Sequence, residues 1–459
     1  LSYNTEGTRN VAIGDNALNC NCCGSYNTAV GRGAGFSSTN ACYNTLLGYQ
    51  AGLDITTGGK NVAIGSFSLQ AQTTGSSTVA IGYEALCANT TGTYNVAIGD
   101  SAGRKGTDAD CNVAVGFAAL CSNLGSQSNI AIGMNSLRNT ISGCNVAIGT
   151  NALCSNTCGE RNIAIGRLAG CKNTTGYNAV AVGNEALRCN TTGYRNVAIG
   201  AYAGCCNTTG ADNTLIGYAA GLCNCTTHNS VGIGMYALMK NQCAGSVAVG
   251  AYGLICNTTG VYNTAVGYAS QNYTTTGGGN TSLGYQALYL NNESTAAHNT
   301  AVGSFALVNN SYGGCNVAVG TCSLCSNTCG GNNVAIGFRA MCSNTTASNN
   351  IAIGRHALCT NTTGCENVAV GMCALHNNLC GCCGHNYNTA IGNCALYSNT
   401  AQSNTAVGYS SLKSNTTGAT NTALGENTLN QNTTGSCNVA IGRQAMFENE
   451  TGTCNIAIG

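Results

Sequence analysis

A glycine returns every seventeen residues along this chain. Gly14, Gly31, Gly48, Gly65, Gly82, Gly99, Gly116 and Gly133 each close a copy of Asn-Val/Thr-Ala-Ile/Val-Gly, and the series runs on to Gly442 and Gly459. The unit continues with two variable residues, then Ala-Leu or Ala-Gly, and commonly Asn-Thr-Thr-Gly. A fixed period of this size predicts a solenoid, because one coil cannot bury its apolar face alone and a core forms only by stacking. The expected fold is all-β: a parallel β-solenoid, or β-roll, of 17 residues per coil and about 27 coils, forming one continuous repeat domain over residues 1–459. Leu1 and Gly459 both fall inside a coil, which reads as a segment of, or a product processed from, a longer chain.

Numbering the unit from its first Asn assigns a task to each position. The second residue is β-branched throughout and the fourth is Val, Ile or Leu. The third is Ala except at Leu46, Leu215, Gly232 and Ser282. Alternation over three residues predicts a short strand with positions two and four on one face and Ala on the other. On this reading roughly three large aliphatic side chains per coil point inward, and the Ala face is left for other copies of the chain. The marker glycine permits a sharp bend. Leu at position nine (Leu18, Leu69, Leu86, Leu120, Leu137, Leu153) is expected to point into the coil from a second strand, and Asn-Thr-Thr-Gly to form the return turn. The first-position Asn is replaced only at Thr78, Ala179, Ser230 and Ser246, so its side chains are placed to stack as an amide ladder. The period loses one residue before Gly149, Gly250 and Gly408, and gains two and four before Gly303 and Gly392. Those changes are expected in turns.

Charged residues make up 7% of the chain and the formal net charge is +1, so there is no electrostatic footprint for nucleic acid. No apolar run is long enough for a membrane span, and no membrane insertion by this segment is expected. No nucleophile elbow, zinc-protease helix or phosphate loop occurs. The expected protein is not an enzyme, and no catalytic, cofactor-binding or metal residues are assigned; no cofactor is called for.

The Thr264-Ala265-Val266-Gly267-Tyr268 stretch, Asn280 to Leu288, Asn404 to Leu412 and the Asn415-Thr416-Thr417-Gly418 turn carry a family likeness. The unit resembles the head repeats of trimeric autotransporter adhesins, and is similar to the Asn-Thr-Ala-Val-Gly arrays of tail-fibre-like surface proteins of phages, large viruses and bacteria. The resemblance spans the chain. It implies a left-handed roll, a homotrimer, and display at a cell or virion surface. The coil here is longer than in adhesin heads, and the cysteine load is unusual for them.

The 32 cysteines far exceed cytosolic usage and point to an oxidising, extracellular setting. Several recur seventeen apart, which stacks them at a strand spacing that a disulfide tolerates. Cys154 with Cys171, Cys325 with Cys342, Cys359 in the same column, and Cys437 with Cys454 are the disulfide candidates. His376, Cys380, Cys382, Cys383 and His385 have a spacing that suits zinc, and are read instead as a disulfide-stapled loop. Asn89, Asn173, Asn190, Asn207, Asn257, Asn344, Asn361, Asn415 and Asn432 each open an Asn-Thr-Thr sequon and are possible glycosylation sites. Tyrosines after the marker glycine (Tyr49, Tyr83, Tyr218, Tyr268, Tyr285, Tyr409) suggest outward or inter-chain packing.

The function expected from all this is a structural, adhesive extracellular fibre shaft of stacked, disulfide-linked coils. A subunit of a self-stacking extracellular filament is one alternative, and a glycan- or ice-binding solenoid another. The partners are further copies of the chain, as a trimer or an end-to-end filament, and surface glycans.

Overall fold

In the structure, a computed structural model, residues 1–378 and 387–459 are described. The chain divides into two compact units, Leu1–Asn229 and Ser230–Gly459, built alike. The first holds thirteen strands, from β1 (Val11–Ile13) to β13 (Thr214–Ile216), and the second the remainder, from β14 (Val231–Ile233) to β27 (Ile456–Ile458). Every strand has three residues, and no helix occurs among the described residues. Within each unit consecutive strands pair in parallel and in register, Ile163↔Val180 and Ala164↔Ala181 in the first and Ile351↔Val368 and Ala352↔Ala369 in the second. The chain is thus a parallel β-solenoid. Register survives the irregular spacings, since Ala131 still faces Ala147 and Ala369 still faces Ala390. Extra and missing residues are absorbed outside the strands.

The two strand faces are reversed from expectation. Ile163 and Ile165 are 39% and 38% exposed, whereas Ala164 between them is 1% exposed. The same holds along both units: Ala is inside and the branched residues are outside. The reason is room. A seventeen-residue loop with neighbours at a strand spacing of about 4.8 Å has a narrow lumen. Ala at positions three and eight, Leu at nine and two asparagines already fill it. Three large aliphatic side chains per coil do not fit, and one does.

Leu at position nine points inward as expected, with Leu18, Leu69 and Leu137 fully buried. It does so from a turn and not from a second strand. Its φ is positive, 46° at Leu18 and 56° at Leu69, as are those of the residue two before it and of the residue before each first-position Asn. This accounts for the interchange of Ala-Leu with Ala-Gly. Glycine takes a left-handed φ without strain, and Leu offsets its strain by filling the lumen. Where glycine stands, a neighbour spreads into the space. A Cβ on Gly35 would lie 2.7 Å from Leu46 Cδ1, and one on Gly204 would lie 3.0 Å from Leu215 Cδ1. The two exceptional leucines at position three therefore sit among glycine-bearing coils.

The asparagines hold strand to turn. Asn44 N donates to Asn27 Oδ1 at 3.0 Å, and Asn44 Nδ2 donates to Gly58 O at 3.0 Å. In the second unit Nδ2 also donates along the column, from Asn350 to Asn333 at 3.2 Å. A more regular side-chain ladder runs through position twelve, where Asn173 Nδ2 donates to Asn156 Oδ1 at 2.8 Å and Asn190 Nδ2 to Asn173 Oδ1 at 2.9 Å. Buried amides of this kind are tolerated where they are paired, as most are; Asn224 at position twelve has neither Nδ2 nor Oδ1 bonded.

Candidate functional site

Two features outside the core carry chemistry: the outward strand face and the column at position ten. The face consists of two ranks of Val, Ile, Thr and Leu. No charged residue stands at positions two to four in any strand. Contiguous apolar surface of this kind marks an interaction site when it exceeds a few hundred Å². Beside it runs a row of aromatic rings. Tyr268 and Tyr285 stack at 5.5 Å, and Phe305 meets Tyr285 edge-on at 5.2 Å. The outward packing expected of the tyrosines is what the structure has, with Tyr268, Tyr285 and Tyr409 exposed.

Position ten stacks sulfur on sulfur. Cysteines among the described residues are thiols. Cys154 Sγ lies 3.1 Å from Cys171 Sγ, and Cys342 Sγ lies 3.5 Å from Cys359 Sγ. Cys325 hydrogen-bonds Cys342. The hydrogen bond with Cys171 outweighs burial and pulls the Cys154 thiol down to about 6, while the same bond and burial push Cys171 up. Each pair shares a proton, with one sulfur held as the donor. In the second column Cys342 is the lowered partner, through hydrogen bonds from Cys325 and Cys359, both of which are raised. Cys437 and Cys454 are exposed.

The column then changes residue. One period after Cys359 comes His376, and His356 stands three residues before Cys359. The ligand atoms of His356, Cys359 and His376 all lie within 4.8 Å of one another. The two imidazole rings stack at 5.9 Å and 11°, and Tyr397 stacks on His376 at 5.0 Å. Burial first, then the charge of Arg355, holds the His356 imidazole below its ordinary range. The sequence alone assigns no metal residues and groups His376 with Cys380, Cys382, Cys383 and His385, the last four of which lie outside the described residues. The signal passed over is the seventeen-residue step from Cys359 to His376.

The sequon reading is corrected. All nine asparagines are buried, from 0% to 2% exposed. Nδ2, the atom that a glycan would occupy, is committed to the ladder and to the turn: Asn190 Nδ2 donates to Asn173 Oδ1 and to Gly193 O at 2.8 Å, and Asn432 Nδ2 to Asn415 Oδ1 at 2.7 Å and to Gly435 O at 2.9 Å. The folded coil has no room for an N-glycan there.

Comparison of the sequence with family models and with curated proteins finds no match to either.

Proposed function

We propose that this chain is a structural building block of an extracellular fibre, joined to further copies of itself through its outward strand face. The observation that carries the reading is the pair of uncharged aliphatic ranks, with Ile163, Ile165, Ile351 and Ile353 all more than a third exposed. A second copy is the occupant that suits them best. The ranks repeat at the strand spacing, so an identical face offers ridges and grooves of the same pitch. Burying such a face supplies the apolar contact that a lumen of Ala and single leucines lacks. The resemblance to adhesin heads and tail fibres supports a three-chain arrangement displayed outside a cell or particle. Sedimentation velocity on the full chain tests this. The wild type is expected to be oligomeric, and the quadruple variant I132K/I165K/I353K/V370K to be monomeric with an unchanged circular dichroism spectrum. A wild-type chain that stays monomeric at micromolar concentration would end the proposal.

A further inference from the structure

We propose that His356, Cys359 and His376 form an open, three-ligand zinc site that clips two adjacent coils together. Two imidazoles and one thiolate are a donor set that zinc takes, with three protein ligands and an open fourth position. The three ligand atoms, all within 4.8 Å of one another, reach tetrahedral separations by side-chain rotation.

Three independent observations aim the donors at one point. Cys359 is 7% exposed, so its sulfur is shielded from solvent. His356 Nε2 is buried and has no hydrogen-bond partner, an uncompensated cost that a metal would remove. His376 Nδ1 lies 2.7 Å from Asn377 Oδ1. With Nδ1–H donated to that amide oxygen, the ring's lone pair is left at Nε2, the outer-shell arrangement that orients metal-bound histidines. The site bridges the coils of β21 (Ile351–Ile353) and β22 (Val368–Val370), next to the four-residue lengthening before Gly392. It adds a cross-link where the regular Asn-Thr-Thr-Gly turn is interrupted.

The full chain, stripped of metal and kept reduced with a phosphine, is titrated with Co(II) and then Zn(II). One equivalent of Co(II) is expected to give the intense visible bands of a tetrahedral ion with a thiolate charge-transfer band, and Zn(II) is expected to bleach both. C359S and the double variant H356Q/H376Q are expected to lose the tetrahedral spectrum, and C342S to keep it. C154S and the triple variant C380S/C382S/C383S are expected to match the wild type. Far-ultraviolet circular dichroism confirms that each variant is folded, and zinc is expected to slow proteolysis of the wild type but not of C359S. A wild-type chain without tetrahedral cobalt, a folded C359S with an unchanged spectrum, or loss of the spectrum in the triple variant would each overturn the assignment.

Discussion

At the scale of single residues, the marker glycine is the least replaceable position. Gly183 has φ +136°, and a Cβ there would lie 2.5 Å from Gly200 O and 2.6 Å from Gly200 C. Both contacts are with backbone of the next coil, so neither neighbour can give way. Gly183→Ala combines left-handed strain with that clash and is expected to cost about 3 kcal/mol or more, measured as a fall in denaturation midpoint. The opposite sign is expected at Gln271, which stands where other coils have Leu, Met or Gly. Its Nε2 donates to Thr264 O and to Ser282 Oγ at 2.9 Å, but its Oε1 is buried without a partner. Restoring the repeat with S270A/Q271L/S282A removes the buried amide and both hydroxyls of this cluster together. It is expected to stabilise by about 1–3 kcal/mol, with the single Q271L gaining less because Ser282 loses a partner. Equilibrium denaturation of the three chains decides this.

At the scale of the element, one coil contributes one short strand and a set of turns whose left-handed residues recur at fixed positions. Stacking turns columns of the sequence into columns of side chains, and the thiol column shows the consequence. Cys154, drawn down by its Cys171 contact, keeps its charged form to about pH 6, whereas an ordinary thiol loses it below about 8.5. The thiolate is the reactive species. Alkylation of Cys154 by iodoacetamide is therefore expected to be fast at pH 7 and to fall off only below about 6. Cys171, raised by the same contact, is expected to react slowly until its partner is blocked. Peptide mapping across pH checks the order. Equal rates at the two residues would show that the proton is not shared this way.

At the scale of the whole molecule, the balance of charge and apolar surface governs association. With 7% charged residues and an uncharged strand face, the proposed self-association would have little Coulombic component. It is expected to be nearly insensitive to sodium chloride, to strengthen in sulfate and to weaken on cooling, as apolar burial does. Sedimentation at several salts and temperatures measures this, and steep weakening with sodium chloride would point instead to contacts among the few charged side chains.

The sequence by itself determined the period, the class of fold, the parallel register, and the positions of the strand, the glycine bend and the inward leucine. It could do so because each of these depends on residues within one unit and on the repetition of that unit. It did not decide which face of the strand is inside. Alternation separates two faces but is silent on lumen width, and only the closed coil shows that the space admits Ala and excludes Val and Ile. It did not show that the sequon asparagines are interior, because a local Asn-Thr-Thr pattern looks the same in a surface turn. Nor did it bring His356 to Cys359 and His376. That meeting needs the left-handed backbone at His356, which turns its ring toward the next coil, and the stacking that sets residues a full period apart side by side.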